Sequence, residues 1–242
     1  MLDASAPGSL LNIAYEIKAR GGTGILISGG CDEKGRLPLT ERMDEIRAAG
    51  ETGLRLNIHT GLVDMETASS LARTGAERFS MDMHQSEGVI RDILHLRTGP
   101  ERYVDTLRSL CSAAPGKVTP HICAGLEGDR IDNEKKSVDA IAGYEISNLV
   151  ILSHVPISAA PLNPIPALTE DKLLALIHYA LDTIDRPILL GCMRPRKTNR
   201  VELEAARAGV AGIANPKVET LRALQKEGFI IQHQRSCCAL HL

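Results

Sequence analysis

Six short polar sequences each follow an aliphatic run, and any chemistry in this chain would concentrate there. They are Ser28-Gly29-Gly30-Cys31-Asp32, His59-Thr60-Gly61, Asp82-Met83-His84, Ala124-Gly125-Leu126-Glu127-Gly128, Ser153-His154-Val155-Pro156 and Gly191-Cys192-Met193-Arg194-Pro195-Arg196. Two glycines without Cβ atoms let the Ser28–Gly30 backbone approach a ligand and offer its polar groups to an ammonium or a carboxylate; a plain tight turn is the alternative. Gly125 and Glu127 lie in a second glycine-bearing strand end, suited to a nucleoside or to a simple strand-to-loop transition. Arg194 and Arg196 are spaced to clamp a carboxylate or phosphate, or else belong to a solvated basic loop. His59, Asp82, His84 and His154 are candidate metal ligands of a hydrolase barrel, although no His-x-His pair stands behind an early strand.

The elements that position these sequences are legible. Strands are expected at Gly24–Ser28, Leu54–Ile58, Arg78–Met81, Val118–Cys123, Leu149–Leu152, Pro187–Leu190, Val210–Ile213 and Phe229–Ile231. Their starts lie roughly 30 residues apart, the size of a strand-helix-strand unit, and connections of that length join parallel strands. Thr40, Asp64 and Thr169 are expected to cap helices, and Pro216 suits a first helical turn ahead of Val218–Lys226. Leu173, Ile177, Ala180, Leu181 and Ile184 recur at helical spacing. Glu127–Glu134 and Pro156–Pro166 read as loops. The expected fold is α/β, an incomplete parallel (β/α) barrel lacking its first strand, in one domain over residues 1–242.

Composition narrows the function classes. The chain is 43% hydrophobic and only 2% aromatic, with no Trp, which implies an aliphatic core and argues against base-stacking modules. A net charge of -2 offers no basic footprint for nucleic acid. No apolar run reaches the ~18 residues of a membrane helix. The six cysteines are irregularly spaced and read as reduced thiols of a cytoplasmic protein. No lysine follows a strand, which disfavours an amine-dependent aldolase.

The order of these features resembles the radical S-adenosylmethionine superfamily, most closely its biotin-synthase-like branch. Ser28-Gly29-Gly30 is similar to the family motif that holds the methionyl ammonium. Ser80-Met81-Asp82 falls where polar residues touch the cofactor. His121-Ile122-Cys123-Ala124-Gly125-Leu126-Glu127 is similar to the strand motif beside the adenine. Pro161-Leu162-Asn163-Pro164 is similar to a proline loop of that branch, and Pro187–Arg196 to a later strand and loop. The resemblance implies S-adenosyl-L-methionine and a 4Fe–4S cluster as cofactors, with the cofactor held by Ser28, Gly29, Gly30, Ser80, Asp82, Gly125 and Glu127 and the substrate by Arg194 and Arg196. It implies hydrogen abstraction by a 5′-deoxyadenosyl radical. A narrower resemblance, to one subunit of a two-part archaeal-type lipoyl synthase, implies sulfur insertion, a small-molecule or lipoyl-domain-type substrate and a partner subunit. One departure stands out: the CxxxCxxC signature that binds the cluster is absent, and the first cysteine is Cys31. The chain is therefore expected to be a shortened form, inactive as written and with no catalytic residue of its own. Cys31, Cys192 and Cys237 would serve an auxiliary cluster only if the fold gathers them. The alternatives are the hydrolase barrel and a non-catalytic cofactor-binding subunit.

Overall fold

The computed structural model describes residues 2–156 and 165–240. Seven strands form one sheet in sequential order, with every neighbouring pair parallel. They are β1 (Gly24–Ile27), β2 (Arg55–His59), β3 (Arg78–Asp82), β4 (Val118–Ala124), β5 (Leu149–Ser153), β6 (Ile188–Leu190) and β7 (Gly212–Ile213). Eight α-helices accompany them: α1 (Ser9–Ala19), α2 (Met43–Glu51), α3 (Met65–Ala72), α4 (Pro100–Ala113), α5 (Asp132–Ile141), α6 (Glu170–Thr183), α7 (Arg200–Ala208) and α8 (Val218–Lys226). The sheet does not close. β1 and β7 are its edges, and the result is an open, barrel-like half-cylinder.

Alternation along each strand creates two faces. Leu56 and Ile58, Phe79 and Met81, Ile122, Leu149 and Ile151, and Ile188 and Leu190 point outward into the aliphatic core. Ala14, Ile46, Leu71, Leu107, Val138, Ile177 and Ala205 of the helices meet them there. Each full burial of such a side chain contributes about 1.5–3 kcal/mol. Phe79 is the largest of these fully buried side chains.

Local signals account for several ends. Asp64 caps α3 by accepting from the Thr67 N–H at 2.8 Å. α8 spans Val218–Lys226 as expected, but its N-cap is Lys217, so Pro216 precedes the helix and does not sit in its first turn. Thr169 has the extended backbone of a cap, yet its hydroxyl donates to Asp129 at 2.7 Å instead of accepting from the helix. Thr40 opens a 3-10 turn over Thr40–Arg42, and the α-helix starts only at Met43. Glu127–Glu134 is a loop only as far as Ile131, because α5 starts at Asp132. Pro161–Pro164 lies outside the described residues.

Phe229–Ile231 is not a strand. It follows Gly228 at φ 91°, and Ile230 is 92% exposed. The chain runs on beneath the half-cylinder at the strand starts. Thr23 donates to the Arg235 carbonyl at 3.0 Å, Asn148 to Cys238 at 3.4 Å and Arg55 to Leu240 at 2.9 Å. Leu240 is buried there. This terminal segment is the floor of the lumen, where Ala239 and Leu240 pack without joining the sheet, while Phe229 and Ile230 stay exposed.

Candidate cofactor cleft and barrel lumen

The polar sequences singled out above do gather at the strand ends, as parallel barrels require. Ser28, Gly29 and Gly30 follow β1 as an exposed segment without regular structure. A Cβ on Gly29 would meet nothing closer than Leu37 at 3.9 Å, and one on Gly30 would meet nothing within 4 Å. Neither glycine has a positive φ. The fold itself therefore has no need of glycine here, and the bare backbone stays open to a ligand.

Gly125 is different. Its φ is 87°, and a Cβ would lie 2.9 Å from Leu168. Its N–H donates to Glu134 at 3.0 Å. Packing and conformation explain this glycine without a ligand. Glu127 is also engaged: one oxygen accepts from Ser86 at 2.9 Å and the other from Asn133 at 2.6 Å, with Arg130 at 3.6 Å. These bonds fix the loop over the top of β4 and engage both carboxylate oxygens of Glu127 within the chain.

Arg194 requires a correction. It is 3% exposed and donates to Glu202 and to the carbonyls of Gly191, Ala214 and Asn215. A guanidinium has five N–H donors in a fixed fork, and these are spent inside the chain. Glu202 in turn accepts from Lys217 N–H and the Thr220 hydroxyl. Arg194 ties the β6 loop to α7 and does not face a substrate. Arg196 is exposed and donates to the Asn215 and Cys192 carbonyls, at 2.7 and 3.2 Å.

The thiols do not converge either. Cys31 and Cys192 are exposed, and Cys237 lies half-buried against Asn57, whose side-chain N–H is 3.8 Å from its sulfur. Among the described residues, no three His, Cys, Asp or Glu side chains are placed to share a metal ion. That holds for the proposed auxiliary cluster and for His59, Asp82, His84 and His154 as a hydrolase centre. His84 instead packs edge-on against Tyr103 with ring centroids 5.4 Å apart.

What the separate motifs do not convey is the inner wall. Asn57 and His59 of β2, Ser80 and Asp82 of β3, and Thr119, His121 and Cys123 of β4 all turn inward. Ser80 donates to Asn57 at 2.8 Å, which ties this cofactor candidate to a neighbouring strand. His59 Nε2 lies 3.6 Å from Asp82 Oδ1. The His59 and His121 rings are 5.9 Å apart. Desolvation pushes the Asp82 carboxyl up, but the His59 contact and the fields of His59, His84 and His121 outweigh it and hold it at about 2. Burial lowers the basicity of His59, yet Asp82 more than compensates and the imidazole stays above its ordinary value. Burial pushes His121 down to about 4 and the Cys123 thiol up to about 12. The signal for this wall was present in the sequence as polar residues at alternate positions of three successive strands.

No protein-family model matches the chain. Over 176 residues, 69% of this chain, it is 26% identical to biotin synthase of Acaryochloris marina (strain MBIC 11017). It spans about half the length of that relative, 48%. Among solved structures, methylornithine synthase (PylB) superposes with a TM-score of 0.62 at 14% identity, covering 94% of this chain and 74% of that one. The FeFe-hydrogenase maturase HydG from Carboxydothermus hydrogenoformans gives 0.61 at 15% identity, covering 90% and 58%. The chain is thus similar in sequence to part of biotin synthase, and its parallel half-barrel superposes on part of methylornithine synthase and of HydG.

Proposed function

We propose that this chain is a radical S-adenosylmethionine protein of the biotin-synthase-like branch, built to hold the cofactor above Ser28, Gly29 and Gly30. The observation that carries this reading is the loop after β1: two glycines that neither backbone conformation nor packing requires, at the ligand-binding end of a parallel half-barrel. The likeness to biotin synthase supports the branch. Close backbone approach would grip the methionyl end, Asp82 would face it from β3, and the Gly125–Glu127 loop would border the nucleoside. Arg196 would contact an anionic group at the rim. S-adenosyl-L-methionine fits these residues. When bound beside a reducing cluster it supplies the radical chemistry of the family.

The 4Fe–4S cluster does not fit. The sequence has no CxxxCxxC, and among the described residues no three thiols converge. This favours a second reading, a non-catalytic cofactor-binding subunit. The narrower assignment, one subunit of a two-part lipoyl synthase acting on octanoyl chains or a lipoyl domain with a partner, rests on the resemblance of the motifs alone. The deciding assay is 5′-deoxyadenosine formation by mass spectrometry after anaerobic iron–sulfur reconstitution and strong reduction, run beside equilibrium dialysis with S-adenosylhomocysteine. Binding without turnover is expected of the 242-residue chain. Stoichiometric 5′-deoxyadenosine would contradict the reading of the cluster residues, and failure of the nucleoside to bind would contradict the cofactor assignment.

A further inference from the structure

We propose that the lumen wall formed by Asp82 and His121 is a recognition site for a primary alkylammonium group. It rests on the lumen being a ligand-binding space, as the proposed function requires, and names the chemistry of what enters it.

The wall is rich in acceptors. Thr119 offers a carbonyl oxygen 3.1 Å from His121 Nδ1, and a carbonyl only accepts, so Nδ1 carries the proton in the neutral ring. Nε2 is then a bare lone pair. No protein donor reaches it among the described residues, although His121 is only 8% exposed. Asp82 gives one oxygen to His59 and leaves Oδ2 without a partner among the described residues, while 47% of its side chain is exposed. Beneath them the Thr119 hydroxyl is fully buried and has no hydrogen-bond partner. Asp82 and His121 are register partners on β3 and β4, so an accessible carboxylate oxygen and a buried imidazole acceptor stand side by side on the inner face. Such groups are costly to leave unsatisfied.

The charges choose the ligand. The groups acting on Asp82 are His59, His84 and His121. Burial keeps the last two from protonating readily, and His59 alone is stabilised as a cation. An anionic ligand would meet a carboxylate and a lone pair. A neutral donor would satisfy both without the ionic contact. An ammonium group supplies three donors and a positive charge to the same two acceptors. On β5, Leu152 lies in register with Cys123 on the same face and is only half-buried, which suits a hydrocarbon portion.

The ammonium has two sources: a substrate amine or the methionyl end of the nucleoside cofactor. The test uses pentylamine, pentanoate and 1-pentanol as probes on the intact chain, with titration calorimetry and imidazole ¹⁵N NMR. Pentylamine is expected to bind saturably and move the His121 resonances, with pentanoate silent and 1-pentanol at least about tenfold weaker. Asp82→Asn is expected to lower pentylamine affinity at least about tenfold, with thermal melting recorded to establish folding. S-adenosylhomocysteine then separates the sources. If it displaces pentylamine while its deaminated analogue does not, the site takes the cofactor's ammonium. If amine and nucleoside bind together, it takes a substrate's. Equal response to pentylamine and pentanoate would overturn the inference without any variant. So would undiminished binding to a folded Asp82→Asn. A chain that binds S-adenosylhomocysteine but no amine would keep its proposed function and lose this site.

Discussion

At the scale of single residues, the same amino acid type does different work at different strand ends. Gly29 stands in open space and Gly125 in a packed, positive-φ position. Gly125→Val is therefore expected to destabilise the fold by at least about 1–3 kcal/mol, through strain and overpacking against Leu168, measurable as a lowered denaturant midpoint. The arginines divide likewise. Arg194→Ala leaves Glu202 buried without its cation and is expected to cost about 3–5 kcal/mol, whereas Arg196→Ala should leave thermal stability nearly unchanged. Neither difference is visible in the sequence, where both arginines sit in one loop. What separates them is which one points back toward α7. The lumen histidines predict a pH effect. His121 has its folded pKa lowered from 6.5 to about 4, so between those values the unfolded chain binds the extra proton. Stability should fall as pH drops through that window, and His121→Gln should flatten the fall. Asp82 adds to the fall lower down, as pH drops from its ordinary 3.8 toward about 2, because there too the unfolded chain binds the extra proton. Melting temperatures from pH 7 to 2 would read both; an unchanged profile in His121→Gln would contradict the placement of that ring.

At the scale of elements, the strands were readable because each is a short aliphatic run with polar residues at one end. β2 to β5 lie within a residue or so of their expected bounds. β7 shrinks from Val210–Ile213 to Gly212–Ile213 because only its last residues reach β6. Phe229–Ile231 had the composition of a strand but no partner, and pairing rather than composition makes a strand. Helix starts were legible where the cap is local, as at Asp64. At Thr169 the start was legible as well, since α6 begins at Glu170 with Thr169 as its N-cap, but the capping bond was not, because a residue 40 positions away, Asp129, captures the hydroxyl. Asp64→Ala should cost about 1 kcal/mol in thermal or urea unfolding; no change would mean that the cap is dispensable. The terminal segment under the lumen carried no periodic signal. Its bonds are scattered contacts to Thr23, Arg55, Asn57 and Asn148.

At the scale of the whole molecule, an open half-cylinder leaves β1 with one unpaired edge, and Leu26 on its inner face is 52% exposed. Such an edge invites pairing with another chain. Concentration-dependent association is expected in light scattering, and a monodisperse monomer up to high concentration would contradict it. No helix among the described residues is long and apolar enough to cross a membrane. The sequential strand order places the open glycine loop after β1 beside the polar ends of β2 and β3. Calorimetry with S-adenosylhomocysteine on the wild-type chain and on Gly29→Val tests that placement most directly. Because a Cβ at Gly29 meets nothing closer than Leu37 at 3.9 Å, valine should leave the melting temperature unchanged and abolish measurable binding. Equal affinity in the two proteins would contradict the assignment of the cofactor to Ser28–Gly30.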